Sequence, residues 1–453
     1  AEYNYLQRYY LQANLTTEAS SRFGKDADGA LNMLNAAWGV FPGVQAAWVA
    51  SNEPWFKVPG INYLKLSAGY DVSGNDDIDY YAARSYFSAT KFLQTVSGLV
   101  FDNIGNNHLK WETTKKWNVG LETNLLNNRL NLRLNYFNSR TDDILTYQSL
   151  SYVSGLDKNW CNGGSLKNSG YDVTAIGKVI NTRNFAWELG GSIGHYKNEI
   201  VSLPEGKEYI DNTVYGATIR TQVGKPANLF YGYRTAGVFK STEDAQAAGL
   251  YIIGDNGMDK NYFGAGDMQF VDKDGNHIIN AKDCEVIGDP NPDFYGNIFT
   301  SFAYKRFRLD FNFNYSVGND VYNYMRQQLE SGSRYMNQTT AVSKRWQSEG
   351  QVTDMPKVTF QDPMGNSRFS DRWIEDGSYL RLKTVTLSYS LPVNSTLLQG
   401  FQFWIQANNL FTWSKYLGSD PEFTMTSAVI GQGIDLGQLP QCRSILAGVK
   451  INL

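Results

Sequence analysis

No run of 18 or more apolar residues occurs anywhere in this 453-residue chain, so a helical membrane span is excluded. Cysteine is scarce and odd in number. Cys161, Cys284 and Cys442 stand far apart and supply neither a disulfide framework nor a CxxC metal or redox signature. Histidine is scarcer in effect, with His108, His195 and His277 too scattered for a histidine-rich centre. His108, in GNNHLKWE, reads as a solvated turn residue. A basic excess is missing as well: the formal net charge is -3, whereas nucleic acid requires a clustered positive surface. No Ser/His/Asp order, paired-carboxylate motif or phosphate-cradling loop stands out, and the expectation is a protein that is not an enzyme and uses no organic cofactor. The opening AEYNYLQRYY lacks a charged region followed by an apolar one, so no signal peptide is expected within it.

What is abundant is aromatic residues (14%, with 29 Tyr and 11 Trp) and glycine (42). That mixture suits strands, tight turns and interfacial girdles. The mean hydropathy of -0.40 is compatible with membrane strands, in which every second residue is polar.

The strongest pattern is alternation. In NNRLNLRLNYFNSRTDD, Leu130, Leu132, Leu134 and Tyr136 share one parity while Asn131, Arg133 and Asn135 share the other, so a pleated strand there has one apolar and one charged face. The stretch 117 to 125 alternates likewise and turns at 127 to 128 into that strand, predicting a hairpin. Hairpins are also predicted over 171 to 196 and 294 to 317, and further strands over 5 to 15, 62 to 70, 79 to 91, 378 to 391, 400 to 408 and 443 to 453. Roughly 14 strands are expected in all.

The same alternation fits two architectures. In a soluble sandwich the apolar face is the core; in an outer-membrane barrel it meets lipid and the polar face lines the lumen. Connection lengths favour the barrel, because short turns (127 to 128, 181 to 184, 305 to 306) alternate with long polar segments (197 to 290, 318 to 376, 413 to 440). Spanning barrels have short periplasmic turns at one end and long extracellular loops at the other. The last stretch, RSILAGVKINL, places Ile445, Ala447, Val449, Ile451 and Leu453 on one parity, as a closing strand would.

Six stretches in this order, LKWETTKKWNVGLETNLLNNRL, SLKNSGYDVTAIGKVINTRNFAWELGGSIGHYKNEI, FYGYRTAGVFKS, FVDKDGNHIINAKDCEVIGDPNPDFYGNIFTSFAYKRFRLDFNFNYSVGNDVYN, DGSYLRLKTVTLSYSLP and WIQANNLFTWSKY, resemble successive landmarks of the SusC/RagA-type TonB-dependent outer-membrane transporters. The resemblance implies an all-β, transmembrane antiparallel barrel in the outer membrane of a Gram-negative bacterium, and for the family a 22-stranded barrel closed by an N-terminal plug. It implies import of a large nutrient, a glycan or oligosaccharide first and a peptide second, with a SusD-like surface lipoprotein as lid. The family's plug and first barrel strands have no counterpart in the sequence. The expectation is therefore that residues 1–453 form the C-terminal portion of the barrel, that the remaining barrel and plug come from a companion segment of the same transporter, and that the TonB complex engages through that missing plug region. The alternative is a non-transporting β-rich surface binding protein or adhesin.

One loop carries candidate chemistry. DKDGNHIINAKD places Asp272, Asp274, Asn276, Ile278, Asn280 and Asp283 at positions 1, 3, 5, 7, 9 and 12 of a twelve-residue loop, the spacing that wraps oxygen donors around Ca²⁺, with position 7 offering its backbone carbonyl. Position 6 is His277 where glycine is usual and position 12 is the shorter Asp. The alternative reading is an acidic Asx turn, with Asp289 and Asp293 shaping its exit. The aromatic clusters at 3 to 10 and 403 to 413 suit either an interfacial girdle or sugar stacking. Arg133, Arg308, Asp310 and Glu122 fall on the polar face. Tyr251, Tyr262 and Phe263 are candidate anchors for a lipoprotein lid, since interface anchors are often aromatic.

Overall fold

The computed structural model describes every residue except 28–30, 34–35, 93–94, 151–152, 154, 157, 255, 394–399, 424–428 and 453. The chain divides into two compact units, Ala1–Ile210 with Gln222–Ala227, and Asp211–Thr221 with Asn228–Leu453.

The first unit carries an antiparallel meander of eight strands: β1 (Glu2–Tyr5), β2 (Tyr9–Ser20), β3 (Ala36–Val49), β4 (Ile61–Asn75), β5 (Glu112–Leu125), β6 (Leu130–Asp142), β7 (Ser165–Asn181) and β8 (Phe185–Ser202). The second carries five more: β9 (Phe294–Tyr304), β10 (Phe307–Val317), β11 (Tyr379–Pro392), β12 (Gly400–Ser414) and β13 (Ser444–Asn452). Within each unit every strand pairs with its neighbour in this series. Most run 11 to 18 residues, against about 9 to 11 needed to cross a bilayer at a tilt.

Connections sort by length as expected. The β5–β6 turn is four residues, in which Leu126, Asn127 and Asn128 all take positive φ (53°, 58° and 61°). Asparagine tolerates that conformation better than most residues, so NN is suitable turn chemistry. Residues 76–111, 143–164, 318–378 and 415–443 form the opposite, long connections.

Two readings are corrected, and one strand was missed. The strand expected at 5 to 15 is broken by a turn in which Leu6 and Gln7 have positive φ, giving β1 and β2. The strand expected at 79 to 91 lies outside the meander, because Tyr86–Phe92 pairs with Val96–Asn103 in a hairpin of its own. β3 was unforeseen because AAWGVFPGVQAAWV mixes alanine, glycine and proline, all poor strand formers. Its Pro42 sits just past the last pair with β4, Gly43 opposite Asp71, where a missing N–H removes no bond from that side. The terminal Leu453 lies outside the described residues.

The registers assemble each parity into rows. Across the first unit Trp48, Leu66, Leu121, Leu134, Val173 and Ile193 are successive cross-strand partners, and the adjacent row of opposite parity is Lys65, Glu122, Arg133, Thr174 and Ser192. Across the second, Phe302, Leu309, Leu387, Ile405 and Ala447 form one row and Ser301, Asp310, Thr386 and Gln406 the next. Aromatic residues end the apolar face: Tyr304, Phe307, Tyr389 and Phe403 at the short turn, Tyr315 and Trp413 toward the long loops.

The apolar rows are not a core. Leu66, Leu134, Leu387 and Ile405 are 39 to 48% exposed, while Arg381, on the polar face, is 1% exposed. A soluble sandwich requires the reverse, so the apolar face is the surface for lipid and the polar face looks inward. The conventional cores lie in the connections. In the first unit Phe23, Leu109 and Trp111 of the connections pack with Phe41 from the inward face of β3. The second unit has two, one around Phe230, Tyr322 and Trp373 and one around Phe239, Phe263 and Phe270.

This assignment predicts unequal tolerance on adjacent residues of β6. Leu134→Arg should cost about 2 to 4 kcal/mol of stability in a bilayer, and Asn135→Arg close to nothing. Reversible urea unfolding in lipid vesicles measures both, and equal costs would reverse the faces.

Candidate functional site

The twelve-residue loop is built into the third apolar cluster by its eighth residue. Ile279 is 3% exposed among Phe239, Leu250, Phe263 and Phe270. Two backbone bonds fasten it to Tyr251: the Tyr251 N–H donates to the His277 carbonyl (3.0 Å) and the Ile279 N–H to the Tyr251 carbonyl (2.9 Å). Tyr251 follows a short helix, Thr242–Ala248, that is capped by Ser241 at its start and by Gly249 in the left-handed conformation at its end.

Side chains then wrap inward. Asp272 accepts from the N–H groups of Gly275 (2.9 Å), Asn276 (3.3 Å) and His277 (2.7 Å). Asp283, 2% exposed, accepts from Lys273 N–H (3.0 Å) with one oxygen and Asn280 N–H (2.8 Å) with the other. Asn276 accepts from Ile278 N–H (2.6 Å), and Asn280 caps Lys282 (2.9 Å). Gly275 (φ 71°) and His277 (φ 64°) supply the left-handed turns, so histidine takes the conformation that usually selects glycine. One oxygen from each of Asp272, Asp274 and Asp283 lies within 4.8 Å of the others. Burial pushes the Asp272 carboxyl up, but the three N–H groups and the Asp274 side chain outweigh it and hold it below its usual range. A hard divalent cation suits this donor set: three carboxylates, two side-chain amides and the Ile278 carbonyl.

A second charged constellation covers the polar face. β11 bulges between Leu382 and Thr384, which returns the apolar parity from Leu380 and Leu382 to Val385 and Leu387. The guanidinium of Arg381 pairs with Asp420 and, at 3.1 Å, with Glu422; Lys383 reaches Glu422 at 3.4 Å. Asp420 also accepts from Gln441 N–H (2.8 Å). Residues of the 415–443 connection are thereby tied to the inward wall. By contrast Arg133 with Glu122 (3.1 Å) and Arg308 with Asp310 (2.9 Å) are pairs on the open polar surface, worth little in stability.

A family model for the TonB dependent receptor-like β-barrel matches residues 1–283. The chain belongs to that family. It is 30% identical to TonB-dependent receptor P3 of Formosa agariphila, over 99% of this chain and 44% of that protein. It is 28% identical to TonB-dependent receptor SusC of Bacteroides thetaiotaomicron, over 99% of this chain and 42% of that protein. A solved structure described as the RagAB peptide transporter superimposes with a TM-score of 0.80 at 25% identity, covering 98% of this chain and 46% of that one. The chain thus spans less than half the length of these relatives. It is an outer-membrane β-barrel chain of the SusC/RagA type, and no described helix is long and apolar enough to cross a membrane.

Within this receptor family member the structure gathers all six expected loop residues into one turn. Of the three expected aromatic anchors, Tyr262 is exposed and pairs with half-buried Tyr251, ring centroids 5.3 Å apart. Phe263 is corrected: at 4% exposure it belongs to the core beneath the loop and offers nothing to a partner. Phe403, Phe411 and Trp413 lie on the apolar face, as a girdle would, whereas Trp404 lies on the polar face over Gly448, where a Cβ would come within 2.5 Å of its ring. His108 is exposed and reaches the Asp26 carbonyl (3.1 Å), in keeping with a turn residue. Asp289 accepts from Asn291 N–H (2.9 Å) and shapes the turn as expected. The sequence reading missed Ile279, although an apolar residue inside an acidic loop is a usable signal, and missed Asp420 and Glu422, which nothing local marks.

Asp283→Ala would strip two N–H groups of their acceptor at a buried position, each worth about 1 to 3 kcal/mol. Amide exchange over residues 272–283 should accelerate strongly, and Asp274→Ala, at an exposed residue, should accelerate it less. Because the Asp272 carboxyl is held low when folded, its contribution is present above the ordinary carboxylate range and lost as pH falls through the depressed value.

Proposed function

We propose that the protein takes part in TonB-dependent import of a nutrient too large for porins, a glycan or oligosaccharide first and a peptide second, with a SusD-like surface lipoprotein resting on the long-loop side. The observation that carries this reading is the combination of a bare apolar face with an inward polar face onto which loop residues are tied by Arg381. A surface adhesin has no need of a loop anchored to the inside of a membrane wall. The names of the relatives support TonB dependence, and the RagAB title, which names a peptide transporter, supports transport and its peptide arm. Coupling to TonB would run through parts of the transporter that these relatives have and this chain does not span. On this reading the protein is not an enzyme and needs no organic cofactor.

The twelve-residue loop would hold Ca²⁺ through Asp272, Asp274, Asn276, the Ile278 carbonyl, Asn280 and Asp283, fixing a surface next to exposed Tyr262 on which a lid can rest. The clustering of three carboxylate oxygens around one point supports this.

Disrupting the protein in its host should abolish growth on one class of polymer while sparing growth on the corresponding monomers. Glycan-only loss assigns the first arm and peptide-only loss the second; unimpaired growth and uptake on both would remove the import reading. Mild-detergent purification should bring down a surface lipoprotein. Added calcium should slow amide exchange over 272–283 in the wild type and have no effect in Asp274→Asn; exchange indifferent to calcium in both would leave an Asx turn.

A further inference from the structure

A cleft of about 240 Å³ opens between two long connections of the first unit, lined by Asp79, Tyr86, Asp102, Tyr147, Lys158 and Trp160 among others. Tyr147 and Trp160 are cross-strand partners in the hairpin formed by Leu145–Ser149 and Lys158–Asn162, with ring centroids 4.1 Å apart. One Asp79 oxygen accepts from the Trp160 Nε1–H (3.2 Å) and the Tyr147 hydroxyl (3.4 Å), which holds its carboxylate at the cleft wall. Asp102 has no hydrogen-bond or ion-pair partner among the described residues. Burial first, then the charges of Asp102 and Asp79, push the Tyr86 hydroxyl up, and along the cleft the two carboxylates outnumber the single ammonium of Lys158.

The protein's own chain shows what such a place accepts. The Lys158 ammonium lies 3.8 Å from the centroid of the Tyr147 ring, in the position a cation takes over a π face, and forms no ion pair among the described residues. We propose that this cleft binds a primary ammonium on an apolar stem, the chemistry of a lysine side chain in an incoming peptide, and that Lys158 is a resident stand-in that the ligand displaces. A neutral sugar would need an open aromatic face for stacking. Tyr147 does not offer one, with Trp160 against it and Lys158 over it. Two carboxylates beside the rings favour a cation over a polyol, and the volume suits one side chain and not a chain of sugar rings. The proposal rests on the import reading only for the direction from which the ligand arrives.

The test is calorimetric titration of the protein purified in detergent, with three probes: a short peptide with blocked termini and one lysine, the same peptide with that lysine acetylated, and a neutral trisaccharide. The lysine peptide should bind, more weakly as salt rises, and the acetylated peptide and the trisaccharide should not compete. Asp102→Asn, which breaks no contact and should leave the melting temperature unchanged, should weaken binding about two- to fivefold. Lys158→Met removes the competing ammonium and should tighten binding, a direction that a merely structural lysine would not produce. Equal binding of the acetylated peptide, weaker binding in Lys158→Met, insensitivity to Asp102→Asn, or trisaccharide binding that Asp102→Asn abolishes would each overturn the assignment. If import itself is misread, uptake fails while this binding persists; if the site is misread, discrimination between the two peptides is lost while uptake persists.

Discussion

In a hydrocarbon layer a backbone N–H or C=O has no water to turn to, and that constraint governs the rest of this molecule. A strand that crosses the layer must be paired along its length, which calls for long strands in continuous ladders, from the 14-residue β5 to the 18-residue β8. Its side chains then split by parity, because the pleat sends neighbours to opposite faces. Leu66, Leu121, Leu134 and Val173 line up across four strands because their registers permit nothing else. Where the sequence slips phase, at Lys383, the ladder absorbs the extra residue as a bulge and keeps Val385 and Leu387 on the lipid side. Dropping that bulge would turn either Leu382 or Leu387 inward.

The same constraint displaces ordinary protein cores into the connections. With the apolar face given to lipid, Trp373, Tyr322, Phe230 and Phe270 can be sequestered from water only by packing loop against loop. Those connections are consequently folded in their own right, with two short helices, small sheets and the twelve-residue turn plugged by Ile279. Arg381 joins the two systems in the second unit. It is buried at the inward face of β11 and neutralised by Asp420 and Glu422, and a buried guanidinium without those carboxylates would be strongly destabilising. A loop thereby becomes part of the wall it covers.

Much of this was legible in the chain itself. Hairpins at 117 to 136, 171 to 196 and 294 to 317 were readable because their alternation is strong and their turns carry Asn, Thr or Lys–Arg at the reversal. The acidic loop was readable because its donors are spaced within twelve consecutive residues. What escaped had specific reasons. β3 escaped because alanine, glycine and Pro42 blur the alternation. The break at Leu6 escaped because a leucine in the left-handed conformation has no local signal. Phe263 passed for an anchor because exposed and buried aromatics in a polar loop are spelled alike.

The sequence by itself determined most strands of the wall, the sorting of short and long connections, and the set of residues in the acidic loop, since each depends on spacing along a few neighbouring residues. Only the tertiary structure decided which face is bare and which is covered, because exposure depends on what packs against a residue. It alone brought Asp420 and Glu422 to Arg381 some 39 to 41 positions away, and Asp79 to Trp160 across 81. Contacts of that separation are made by registers and loop packing accumulated over many strands, and no local pattern encodes their sum.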